Sequence, residues 1–182
     1  MSEEMIVDLS APTLAGIKTG SLFRVTYKDR EKLNGELRRL NSSVKRAGII
    51  AVPLFIGEDA AIVYVYRPCL LKKDISSEKA VSLLKGIGYH MTGTAGMVAQ
   101  LAKRFNRNQF PHEVGIFLGY PVDDVIGFIK NPSKGYKLVG IWKVYNDVDS
   151  ARNVFRRYQR CTMIYKRAVK SGAHIRDLAV PI

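Results

Sequence analysis

The chain reads as an α+β domain in which a small β-sheet is covered by several helices and a long basic helix closes the C-terminal part. Three observations predict this. Leu33, Leu37, Leu40, Val44 and Ala47 recur at three- and four-residue steps, the period of one helix face. Two runs rich in β-branched and aromatic residues, Ile49 to Ile56 and Ala60 to Tyr66, flank Gly57-Glu58-Asp59, a composition that suits a hairpin or tight strand connection. Ala151, Val154, Phe155, Tyr158, Cys161, Thr162, Tyr165 and Ala168 fall on one half of a helical wheel, with basic side chains around the other.

Taken in order, residues 1–21 read as an N-terminal arm punctuated by Pro12, Gly16 and Gly20. Leu22 to Tyr27 is β-prone, and Asp29 is placed to cap the helix that carries the Leu33 stripe, with Gly48 placed to end it. The two strand runs then complete a β-α-β-β unit. Ser76 or Ser77 caps a helix to about Lys85, and Thr94 caps another whose Met97, Val98, Leu101, Ala102 and Phe105 share a face. The block Phe110 to Phe128 is ambiguous. Pro111 and Glu113 suit a helix start, whereas Val114 to Leu118 also reads as a buried strand. The preferred reading is two short helices about a Gly119-Tyr120-Pro121 turn. Tyr136 to Tyr145 is expected as a strand, and Asp147 or Asp149 as the start of the long helix to about Lys170.

Composition bounds the class. A chain of 182 residues suits one domain, 1–182, and is too short for two ordinary ones. Hydrophobic residues at 47% and charged residues at 25% exclude wholesale disorder. No apolar run approaches the ~20 residues that span a bilayer. Acidic residues at the N-terminus, Glu3, Glu4 and Asp8, argue against export, so a cytoplasmic location is expected. Cys69 and Cys161 lie in no paired spacing and are expected to be buried, reduced thiols. The net charge of +13, from 29 Lys and Arg against 16 Asp and Glu, favours polyanions, anionic small molecules or an acidic protein partner.

Several residues are candidates for chemistry. Arg152, Arg156, Arg160 and Arg167 present a basic outer face on the C-terminal helix, to which Arg30, Arg38 and Arg39 would add if the two helices were neighbours. His112 and Glu113 stand together at an expected helix start, where His112 can serve as acid or base with Glu113 orienting it. No HExxH follows and no second His or Cys lies at ligand spacing, so no metal site is expected, and no cofactor is specified. Lys18 follows glycine in Gly16-Ile-Lys-Thr-Gly, without the spacing of a phosphate loop, yet suits a carboxylate or phosphate. Tyr120, Trp142 and Lys143 put aromatic and cationic groups at the ends of core elements, where pockets form.

Three blocks carry a resemblance: Ala11 to Thr19 (APTLAGIKT), Phe110 to Ile129 (FPHEVGIFLGYPVDDVIGFI) and Gly140 to Tyr145 (GIWKVY). Together they resemble an uncharacterised domain-of-unknown-function family of anaerobic bacteria and archaea, over the span from Ala11 to about Gly172. That family typically carries His-Cys before the first block, whereas this chain has Leu9 and Ser10 there, so no thiol, haem or metal role carries over. The resemblance implies no activity; a link to redox or iron metabolism rests on the flavodoxin-like or iron-related genes beside some relatives. The leading expectation is an accessory or ligand-binding protein for an anionic small molecule or an acidic flavodoxin-like partner. The alternatives are nonspecific nucleic-acid binding through the C-terminal helix and a small enzyme using His112. The weak point of a helix-turn-helix at Phe110 to Ile129 is that its second helix offers phosphates Asp123 and Asp124.

Overall fold

Strand alternation sets the architecture, because a central strand that is apolar on both sides needs cover on both sides. The structure is a computed structural model and describes residues 1–105 and 110–182. Strands β1 (Gly20–Thr26), β2 (Ile50–Ile56) and β3 (Ala60–Tyr66) form an antiparallel sheet in the order β1-β3-β2. Gly20 pairs with Tyr66 and Thr26 with Ala60, while β2 runs from the Ile50–Tyr66 pair to the Ile56–Ala61 pair. The β2 register breaks between Pro53 and Phe55, on an edge strand where proline's missing N–H is tolerated. From β3, Ala61, Val63 and Val65 enter one core cluster and Tyr64 and Tyr66 the other, their rings stacked at 4.7 Å.

On the first face lies α2 (Arg30–Val44), capped as expected by Asp29, whose carboxylate accepts from the Glu31 and Lys32 N–H groups. Leu33, Leu37, Leu40, Val44 and Ala47 are all buried, and Gly48, at φ +67°, ends the 3₁₀ turn that follows the helix. Asn41 fastens the helix to β2 by exchanging two hydrogen bonds of 2.8 Å with the Ala51 backbone. The second face is covered by α3 (Pro68–Ile75), α4 (Glu78–Gly86), α5 (Gly93–Phe105), α6 (Val114–Phe117) and α7 (Val122–Lys130). Ser77 caps α4, and Asp147 caps the long α8 (Val148–Lys170). No helix among the described residues is long and apolar enough to cross a membrane.

Three expectations need correction. The first 21 residues are not an arm: α1 (Glu3–Leu14) packs along α8 and buries Ile6, Val7, Ala11 and Leu14. Its start is marked by Ser2, which accepts from Met5 N–H, and by Glu3 and Glu4 in the first turn; Pro12 lies in the last turn, two residues before the helix ends. Residues 136–145 make a two-stranded hairpin, β4 (Leu138–Val139) with β5 (Lys143–Val144), instead of one strand. Gly140 forms part of its turn, and a Cβ there would lie 2.1 Å from the Phe155 ring. Finally, α2 packs on β2 and on α9 (Ile175–Leu178), so α1, not α2, is the neighbour of the basic helix.

Arg67 sits at the junction of these layers and is wholly buried. Its guanidinium donates to four carbonyls: Thr13 (2.6 Å), Leu14 (2.6 Å), Ala47 (2.9 Å) and Val180 (2.7 Å). Helix α1 has no basic residue in its own last turn, and Arg67 supplies the missing cation at that carbonyl end.

Candidate functional site

Two short helices, not a buried strand, form the Phe110 block, and the turn between them sets the site. Gly119 takes φ +76°, a left-handed backbone that a side chain would strain. The turn is also crowded, since a Cβ at Gly119 would lie 2.7 Å from Thr19 Oγ1. Thr19 in turn donates to Asp74. Pro121 is the residue before α7 rather than its first, and Tyr120 N–H closes back onto the Gly115 carbonyl at 2.9 Å.

Asp124, in the first turn of α7, holds the hairpin against this turn. It is buried and accepts from Trp142 Nε1 (2.8 Å), Tyr145 N–H (2.7 Å) and Asn146 N–H (3.0 Å). Three donors on one carboxylate satisfy its charge inside the fold. Trp142 is thereby set with its ring stacked on Tyr120, centroids 4.8 Å apart, and edge-on to Phe155 at 4.5 Å.

Between α7, the hairpin and the Phe110 segment lies a cleft of about 360 Å³. Phe110, His112, Tyr120, Phe128 and Trp142 supply its aromatic walls, and Lys143 stands at the same cleft. Lys143 donates to the Pro132 carbonyl at 2.7 Å and lies 4.6 Å from the Tyr136 ring centre and 5.8 Å from that of Phe128. His112 is exposed and meets Phe128 edge-on at 5.1 Å. Burial, followed by the neighbouring Tyr158, pushes the Tyr120 phenol up to about 12, so it stays a neutral donor and acceptor at ordinary pH.

The structure thus brings His112, Tyr120, Trp142 and Lys143 to one cleft and separates two other candidates from it. Glu113 does not orient His112: it is buried on the opposite side, where it accepts from the Tyr89 hydroxyl at 3.0 Å and pairs with Arg104 at 3.5 Å. Adjacent residues at a helix start point about 100° apart, which explains the divergence. Lys18 lies across the Tyr120 ring, its ammonium 5.5 Å from the centroid, and opens on a different groove. Arg152, Arg156, Arg160 and Arg167 are exposed on α8, outside the cleft lining. Cys69 is exposed, contrary to expectation, because it follows Pro68 in the first turn of α3; Cys161 is half-buried and its thiol is pushed up by burial.

Sequence reasoning missed the Asp124 clamp and the Arg67 hub. Asp124 stands one helical turn before Phe128, on the cleft-lining side of α7, and that placement of an acid beside apolar residues was the available signal. Asp123, by contrast, faces out and pairs with Lys79 at 2.8 Å. No curated protein and no solved structure matches the chain. A family model described as protein of unknown function (DUF3793) matches residues 6–179, nearly the whole length, and the chain therefore belongs to that family.

Proposed function

We propose that the protein is a ligand-binding protein whose aromatic cleft takes an anionic small molecule with a flat apolar body. The supporting observation is the charge pattern of the cleft: its walls are aromatic, its cation is Lys143, and the only carboxylate among the described lining residues, Asp124, is taken up by three N–H donors. A ring slides against Phe128 and Trp142 while its carboxylate or phosphate meets Lys143. His112 adds a second polar group at the mouth.

Trp142 is the sole tryptophan, so its fluorescence reads the cleft directly. Titration with 2-naphthoate should quench it, with 2-naphthol binding about tenfold more weakly and Lys143→Ala erasing that preference. Equal response to the acid, the alcohol and a naphthyl ammonium ion would refute the reading. A second reading, a docking face for an acidic protein, draws on the α8 arginines: among the described residues none of Arg152, Arg156, Arg160 and Arg167 pairs with a carboxylate. Binding of polyglutamate that weakens steeply with salt supports it, and stronger binding of DNA or RNA under the same conditions favours the nucleic-acid alternative.

A further inference from the structure

The groove between α1 and α8 adjoins the cleft at Ile141, the one described lining residue they share, and has a different chemistry. It encloses about 610 Å³, and Lys18 lines it together with Leu9, Pro12, Ile141 and Met163. Leu9, Ile141 and Met163 are exposed apolar side chains, which solvent-facing helix and loop positions seldom gather without a use. Lys18 itself is half-buried and flanked by rings, its ammonium 5.5 Å from the Tyr120 centroid and 6.0 Å from that of Tyr158. Among the described residues that ammonium makes no hydrogen bond and no ion pair. Asp8, the one acid among the described lining residues, is bound to Lys166 at 2.8 Å. A desolvated cation without a counter-charge, beside an open apolar trough, is incomplete without an anion.

We propose that this groove binds an aliphatic carboxylate, its head on Lys18 and its chain along Leu9, Ile141 and Met163. Ser21 also lines the groove, and its hydroxyl can donate to the remaining carboxylate oxygen while accepting from Thr13; the Thr162 hydroxyl is taken up by the Tyr158 carbonyl. Binding is coupled to protonation. Burial lowers Lys18 from its ordinary 10.5 to about 8, and a bound carboxylate restores the charged form. The two tyrosines beside Lys18 are moved the other way by burial, Tyr120 up to about 12 and Tyr158 also raised. Asp8 and Lys166 close on each other at the rim, Arg157 reaches the Ile17 carbonyl, and Asp74 accepts from Thr19.

The test is calorimetric titration of the whole protein with octanoate, in the presence of saturating 2-naphthoate so that the cleft is occupied. Octanoate should bind with an affinity about tenfold lower at pH 9 than at pH 7, as Lys18 loses its proton in the free protein. Octanol should bind at least about tenfold more weakly at pH 7, and Lys18→Met should lower octanoate affinity by a similar factor. Lys18→Arg keeps the charge at both pH values, so it should retain binding and lose the pH dependence. Absence of octanoate binding, binding unchanged by Lys18→Met, or a pH dependence that persists in Lys18→Arg would overturn the proposal. Inorganic phosphate binding as tightly as octanoate would also overturn it, because the apolar trough would then contribute nothing. The cleft is read separately through Trp142, so either site can fail without the other.

Discussion

Replacing Lys18 by Met should stabilise the protein at neutral pH, and the gain should disappear as pH rises. The fall of the Lys18 value from 10.5 to about 8 means that the folded state holds this proton less tightly than the unfolded chain does. Between those two values the unfolded chain binds more protons, so folding stability climbs with pH across the window. At pH 7 the ammonium is charged in both states, and its desolvation costs about 3 kcal/mol by linkage. Met has a similar length, keeps the contacts with Tyr120 and Tyr158, and removes the charge. The ring attraction it forfeits is worth roughly 0.5–1 kcal/mol per ring, which leaves a net gain of about 1–2 kcal/mol. Urea unfolding of parent and variant at pH 7, 8, 9 and 10 isolates the difference, since every other titrating group is common to both. The gain should be largest at pH 7 and fall toward zero by about pH 10. A variant less stable than the parent at pH 7, or a difference flat across the series, would refute the burial argument.

Gly119→Val should cost about 2–4 kcal/mol in urea unfolding, since it combines a β-branched side chain at positive φ with a collision at Thr19; a variant as stable as the parent would disprove the turn geometry. Asp124→Ala should cost about 3 kcal/mol by orphaning three donors, and should shift Trp142 emission to the red as the hairpin loosens. An unshifted spectrum would show that the carboxylate does not hold the indole. Arg67→Lys should cost about 3 kcal/mol despite keeping the charge, because an ammonium cannot span four carbonyls set around a planar fork, and thermal melting checks this.

The helical and hairpin skeleton was legible because its signals are local. Asp29, Ser77 and Asp147 cap where a short polar side chain precedes an apolar period, and Gly48 and Gly119 stop helices by a conformation that glycine favours. Four of the cleft's side chains were also legible, because an aromatic or a lysine at the end of a core element has few other places to go. What local pattern could not supply was pairing across the sequence. Glu113 was matched with its neighbour His112, whereas Tyr89 and Arg104 had the geometry to reach it. Nothing local marks Arg67, and only the tertiary arrangement shows carbonyls from Thr13, Ala47 and Val180 converging on it. The N-terminal helix is masked in the sequence by the breakers Pro12 and Gly16, and its packing along α8 is a tertiary fact that no local pattern carries.

Arg67 also sets how the molecule opens. Chain ends ordinarily fray first and independently, because little ties them down. Here the end of the first helix and the residue next but one to the C-terminus share a single guanidinium rooted at the end of the central strand, and Val180 N–H returns a bond of its own to the Leu14 carbonyl. Release of the C-terminal segment takes one acceptor from the buried guanidinium and the Val180 N–H from the Leu14 carbonyl, and release of the end of α1 takes two acceptors, so either opening leaves the buried cation short of partners. The two termini and the strand between them therefore form one cooperative unit, and amide exchange in α1 and at residues 175–180 should follow the same opening event.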